Sequence, residues 1–168
     1  MATIAPGTGG TFKTTTAEGR SLEVLMFVQI AESNSSNNPE NQNGVDGSIN
    51  TETNLFEGTF RLPANQTING NGELVIAAIP YLVGLTITPG GDNPTFKSTN
   101  PIAYLLEVLM YLQALERNPA KNASNRNYIT GTYNSDSGLY QGSFRIPIVI
   151  GLAPDGSIAV TADQYLST

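Results

Sequence analysis

The sequence predicts an α+β fold: a helix plus a three-stranded antiparallel meander, written twice, with the two pseudo-two-fold-related units packed as one domain. Three observations predict it. Short segments recur at one fixed spacing, a helical period opens each copy, and a two-residue period closes it. The recurrence is the firmest of the three. Thr11-Phe12-Lys13 returns as Thr95-Phe96-Lys97, and Leu22-Glu23-Val24-Leu25-Met26 returns as Leu106-Glu107-Val108-Leu109-Met110. Glu57-Gly58-Thr59-Phe60-Arg61-Leu62-Pro63 returns as Gln141-Gly142-Ser143-Phe144-Arg145-Ile146-Pro147, and Tyr81-Leu82 as Tyr165-Leu166. Each match sits 84 residues from its partner, so no insertion separates the copies. The first unit is residues 1–84 and the second 85–168.

Each unit opens with a short extended stretch, Thr11–Thr15 or Thr95–Thr99, that could add a strand. A helix start follows. Thr15-Thr16-Ala17-Glu18 fits a capping box, in which a Thr hydroxyl and a Glu carboxylate each take a free backbone N–H. Asn100-Pro101 fits an N-cap followed by proline at the first helical position, where the missing N–H costs nothing. The helices are predicted over 17–32 and 101–116. Asn/Ser-rich loops, 33–43 and 118–127, end them.

The period then switches to two. Phe56, Phe60 and Leu62 share one strand face, with Glu57, Thr59 and Arg61 on the other; Tyr140, Phe144 and Ile146 repeat the pattern against Gln141, Ser143 and Arg145. Earlier strands are predicted at 45–51 and 129–134, joined through hairpin turns at Thr53-Asn54 and Asp136-Ser137-Gly138. Third strands, 73–79 and 157–163, follow turns at Asn71-Gly72 and Asp155-Gly156. One helix covers only part of such a sheet. Two units burying each other's leftover apolar surface would close the core.

Composition removes whole classes of chemistry. The chain holds no Cys, no His and no Trp. Disulfides, thiolate catalysis, Cys-type zinc sites and Ser-His-Asp arrangements are therefore impossible within it. No cofactor or metal site is expected. Net charge is −6 with eight basic residues scattered along the chain, so the clustered basic footprint that nucleic acid or an anionic membrane requires is missing. No apolar run approaches the roughly 18 residues of a membrane span. Met1–Gly10 lacks a basic-then-apolar leader, and a cytoplasmic location is expected. The Gly-rich stretches at 7–10 and 90–91 lack the strand, helix and Lys of a phosphate loop. Sequons at Asn34, Asn65 and Asn122 are what chance gives in a chain so rich in Asn, Ser and Thr.

Four residue pairs are the site candidates. On a helical wheel Ser21, Gln29 and Glu32 cluster on one side, and Glu23 falls nearly opposite among Met26, Phe27 and Ile30; Glu107 sits likewise among Met110, Tyr111 and Ala114. A carboxylate in an apolar stripe must be paired, hydrogen-bonded or neutralised. Glu23 and Glu107 are thus expected to be buried structural carboxylates or, if the protein is an enzyme, its acid/base couple. Arg61 and Arg145 are expected either in cross-strand ion pairs or as matched guanidinium anchors for an anionic ligand. Tyr81 and Tyr165 close the units as core-edge caps with a hydrogen-bonding hydroxyl, or as ligand-stacking rings. Lys13 and Lys97 are expected to be solvated.

Three functions follow. The leading one is a non-enzymatic protein-interaction or assembly module, with an unknown protein partner or a homo-oligomer as its product. Few charges and apolar strand stretches such as Ile146-Pro147-Ile148-Val149-Ile150 favour it. The second is a small-ligand-binding protein using the inter-repeat cleft. The third is a carboxylate-pair hydrolase built on Glu23 and Glu107, against which the lack of Trp around a sugar site counts.

Overall fold

The computed structural model describes residues 12–89 and 95–167. It is α+β: two helices and a six-stranded antiparallel sheet. The elements are α1 (Ala17–Ser33), β1 (Val45–Asn50), β2 (Leu55–Ile68), β3 (Leu74–Ala78), α2 (Pro101–Glu116), β4 (Ile129–Asn134), β5 (Leu139–Leu152) and β6 (Ile158–Ala162). Every strand of the second half starts and ends 84 residues after its counterpart in the first. Thr11, the stretch Met1–Gly10 and the glycines at 90–91 lie outside the described residues.

The helix caps differ between halves. Asn100 caps α2 as its sequence predicts, accepting from the N–H groups of Ile102 and Ala103 at 2.9 and 3.3 Å, with Pro101 behind it. The capping box predicted at Thr15–Glu18 does not form. Thr16 is the N-cap, and its hydroxyl accepts from Gly19 N–H at 3.2 Å. Glu18 turns away and accepts from the backbone N–H of Leu166 at 2.7 Å. A carboxylate that can reach a distant orphan N–H has no need of the local one. Nor do residues 12–15 and 95–99 form a strand.

The sheet order is β1-β2-β5-β4, with β3 and β6 attached to the far ends of β2 and β5. The three strands of each half do not form the predicted meander. Arg61 N–H reaches Gly44 on the β1 side, and two residues later Pro63 C=O accepts from Ile79 beside β3. Backbone groups two apart in a strand face the same edge. So β1 and β3 occupy successive stretches of one edge of β2, and the other edge is left to β5. The 14-residue length of β2 makes this possible. Pro63 marks the changeover, where only its carbonyl is required. Pro147 does the same in β5, accepting from Asp163.

The β2–β5 ladder places Thr59 opposite Ser143, Phe56 opposite Ile146 and Glu57 opposite Arg145. Inward residues Phe56, Phe60, Leu62, Tyr140, Phe144 and Ile146 are buried beneath the helices, while Thr59, Arg61, Ser143 and Arg145 face solvent. Phe56 meets Phe144 at 5.2 Å and Phe60 meets Tyr140 at 5.4 Å between ring centres. One hydrophobic cluster therefore takes residues from both helices and both central strands. Gly58 and Gly142 are required for it. A Cβ at either would run into the neighbouring strand, at the Asp46 or Thr130 carbonyl.

Candidate functional site

The side of each helix that reads as polar is the side that grips the sheet. In β1 the residues opposed to solvent-facing β2 positions spend their backbone groups on β2, and the alternate residues, Val45 and Gly47, direct theirs outward. That open edge is closed by α1. The Gln29 amide accepts from Gly47 N–H at 3.0 Å and donates to Gly47 C=O at 2.9 Å, imitating another strand. One turn on, Glu32 Oε2 accepts from Val45 N–H at 3.1 Å. The second half repeats this. Gln113 makes both bonds to Gly131, at 3.1 and 3.0 Å, and Glu116 Oε2 accepts from Tyr128 and Ile129 N–H, each at 3.0 Å.

The other carboxylate oxygen in each half receives a tyrosine hydroxyl, Tyr81 donating to Glu32 Oε1 and Tyr165 to Glu116 Oε1. The tyrosines thus cap the core edge by hydrogen bonding, the first of the two roles expected for them. In the orientation that satisfies their amides, Asn43 and Asn127 donate to the same carboxylates at 3.1 and 2.8 Å. Burial holds both carboxyl groups above the ordinary range, against the opposing pull of these donors. Burial and the adjacent carboxylate push the Tyr81 and Tyr165 hydroxyls up as well. With each oxygen taken by an internal donor, these carboxylates anchor structure and are closed to outside substrate.

A second buried amide braces each clamp. Asn38 donates to the Glu32 and Gln42 carbonyls at 3.2 and 3.0 Å and accepts from Gln42 N–H at 3.0 Å. Asn122 makes the same three bonds with Glu116 and Arg126. Its sequon is occupied by structure.

Glu23 and Glu107 lie elsewhere. Both are half-buried, and each is held within its own half: Glu23 accepts from Lys13 N–H and Glu107 from Lys97 N–H, both at 3.0 Å. Burial still raises the Glu23 carboxyl. Lys13 and Lys97 are exposed, as expected.

Arg61 and Arg145 are exposed on the outer sheet face, donating to the Asn43 and Asn127 carbonyls at 2.6 and 3.1 Å. Arg61 and Tyr81 line one shallow cavity of about 310 Å³ with Asn43 and Pro63. Arg145 sits 5.3 Å from the Tyr128 ring centre, and Tyr165 meets that ring edge-on at 4.9 Å. The structure therefore brings Arg61 to Tyr81 and Arg145 toward Tyr165, and leaves Glu23 and Glu107 out of both groups.

The arms formed by β2–β3 and β5–β6 carry most of the exposed apolar side chains. Leu152 is 79% exposed, Ile68 69% and Leu74 66%. Ile68 and Leu74 are a cross-strand pair on the same face as Ala64 and Ala78, as are Leu152 and Ile158 on the face of Ile148 and Ala162. Each arm's core-facing row thus continues to an uncovered tip. Within Ile146–Ile150, Ile146 and Ile148 are core and Val149 points outward.

Among the described residues no cluster of three or more acidic side chains is placed to hold a metal ion, and no helix is long and apolar enough to cross a membrane. Comparison with known protein families, curated proteins and solved structures gave no match to the chain.

Proposed function

We propose that the chain is a tandem duplication folded about an approximate two-fold axis at Thr59 and Ser143, and that it serves as a non-enzymatic assembly module. The uncovered arm tips carry the reading. Ile68, Leu74 and Leu152 extend core-type rows into solvent, a pattern that marks a contact surface. The β1 and β4 edges are engaged by Gln29, Glu32, Gln113 and Glu116, which disfavours strand addition there. Binding is left to the arms.

A further copy of the chain is the partner that fits. No Lys or Arg occurs in 62–96 or 146–168, so the arms offer apolar shape with no basic anchor. Both halves present this surface at equivalent positions, which lets like meet like in a closed assembly. Sedimentation velocity tests this. The wild-type chain should self-associate with rising concentration, and a chain carrying Ile68→Asn, Leu74→Asn and Leu152→Asn should remain monomeric with an unchanged unfolding midpoint. A wild-type chain that is monomeric up to its solubility limit would overturn the proposal.

A further inference from the structure

Each half closes one sheet edge with side chains and leaves another open. The outward groups of β1 and β4 are taken by Gln29, Glu32, Gln113 and Glu116. The outer edge of β3 is treated differently. Its ladder with β2 is anchored at both ends, by Asn69 N–H donating to the Glu73 carbonyl at 3.0 Å and Ile79 N–H donating to the Pro63 carbonyl at 2.8 Å. Bonded positions alternate along an antiparallel pair. Val75 and Ala77 therefore also turn their backbone groups to β2, and Leu74, Ile76 and Ala78 turn theirs away. Among the described residues β3 pairs with β2 alone, and nothing bonds those outward groups.

This edge carries none of the devices that blunt an edge strand. Leu74-Val75-Ile76-Ala77-Ala78-Ile79 has no charge and no proline. Leu74, Val75 and Ile79 are exposed. Beyond Pro63 the arm is a ribbon of two strands, an arrangement that is marginal in water until further strands join it. The opposite edge of the ribbon is less open. Ala64 there already donates to the Gly138 carbonyl at 2.9 Å and accepts from the Tyr133 hydroxyl at 3.3 Å. The equivalent edge on β6 is less open too, since Ile158 is half-buried where Leu74 is 66% exposed.

We infer that β3 pairs antiparallel with β3 of a second copy, across a two-fold axis at Ile76. The inference rests on self-assembly through the arms and adds how two copies join. In this register the strand is complementary to itself. Leu74 faces Ala78 of the second copy and Val75 faces Ala77, so large meets small on both faces. Glu73 faces Ile79, which keeps the two acidic side chains from standing opposite one another in a chain of net charge −6. The outward groups of Leu74, Ile76 and Ala78 then form about six backbone hydrogen bonds between the copies. Two marginal ribbons become one sheet of four strands, and the contact is isologous and closed.

Amide exchange of the self-associated chain tests the pairing. The amides of Leu74, Ile76 and Ala78 should exchange about tenfold slower or more in the associated chain than in the dilute one, while those of Val75 and Ala77, held by β2, should be protected in both. Self-association without added protection at Leu74, Ile76 and Ala78 would overturn strand pairing and leave assembly through the tips standing. Ile76→Pro deletes an outward N–H, at the kind of edge position where a strand accepts proline, and should weaken association about tenfold or more. Ala77→Lys puts a charge on the face opposite Ile68 and Leu74. It should weaken association to a similar degree, whereas packing of the core-facing rows alone would not feel it. Undiminished association of Ala77→Lys would overturn the pairing whether or not Ile76→Pro folds, as would undiminished association of a folded Ile76→Pro. A wild-type chain that stays monomeric up to its solubility limit would overturn the pairing and self-assembly together.

Discussion

Thr59 stands directly opposite Ser143 in the β2–β5 ladder, and Ser143 is the residue 84 positions after Thr59. Under the proposed two-fold arrangement, a strand paired antiparallel with its own counterpart about this point gives each half the same neighbours. It explains why Phe56 meets Phe144 while Phe60 meets Tyr140, two instances of one contact. A slip of one residue would turn the inward phenylalanines outward.

Removing a clamp carboxylate should be costly. Glu32→Ala strands the Val45 N–H and a tyrosine hydroxyl, and Glu116→Ala the Tyr128 and Ile129 N–H groups and a tyrosine hydroxyl, for a loss of about 2–4 kcal/mol in urea unfolding. The matching Gln changes should cost about half that, because one amide oxygen still accepts. Glu23→Ala, which strands the Lys13 backbone N–H at a half-buried site, should cost about 1 kcal/mol. Finding Glu23→Ala costlier than Glu32→Ala would reverse the assignment of the structural carboxylate.

Acid should stabilise the fold before it destroys it. Burial raises the carboxyls of Glu23, Glu32 and Glu116 above 4.5. The folded state then binds protons more tightly than the unfolded chain. This stability is fully present below the unfolded value and is lost as pH rises through the folded values. The urea midpoint should therefore climb as pH falls from 7 toward 5, and the climb should flatten in Glu32→Gln with Glu116→Gln. A midpoint that falls steadily over that range contradicts the account. At the alkaline end burial pushes Tyr140 up to about 12, so its share of stability is lost as pH rises from the ordinary 10 through that value.

The glutamine clamps protect sheet edges. Gln29→Ala and Gln113→Ala should each cost about 1–2 kcal/mol, since both bonds to a glycine backbone vanish together. Amide exchange at Gly47 or Gly131 should quicken, and light scattering on heating should begin earlier as the edge opens. Unchanged exchange at both glycines would show that the amides are incidental.

Much of this was legible in the sequence, for identifiable reasons. The offset fixed the helices, the turns at Asn54, Gly72, Gly138 and Gly156 took the positive φ their residue types favour, and Asn100-Pro101 capped α2. The departure from the meander was not legible, because proline commonly interrupts pairing, whereas each strand runs on past Pro63 or Pro147 with only the proline carbonyl in use. The clamps were missed for a different reason. A wheel sorts residues by polarity, so it sends Gln29 and Glu32 to solvent. A sheet edge, however, demands polar partners. The signal was present: Gln29-Ile30-Ala31-Glu32 and Gln113-Ala114-Leu115-Glu116 share both polar positions at the offset. Glu23 drew attention through apolar neighbours, yet it ends half-buried on the Lys13 backbone.

The central claim is that two like halves complete one another through β2 and β5, and the size of a half-length chain tests it most directly. Residues 1–84 alone leave the inner edge of β2 unpaired and the α1 face that meets α2 uncovered. Sedimentation equilibrium of that fragment, followed by denaturant unfolding at several concentrations, is the measurement. The account predicts no folded species smaller than a dimer, with an unfolding midpoint that rises with concentration. A monomeric fragment that unfolds cooperatively at a concentration-independent midpoint would contradict it.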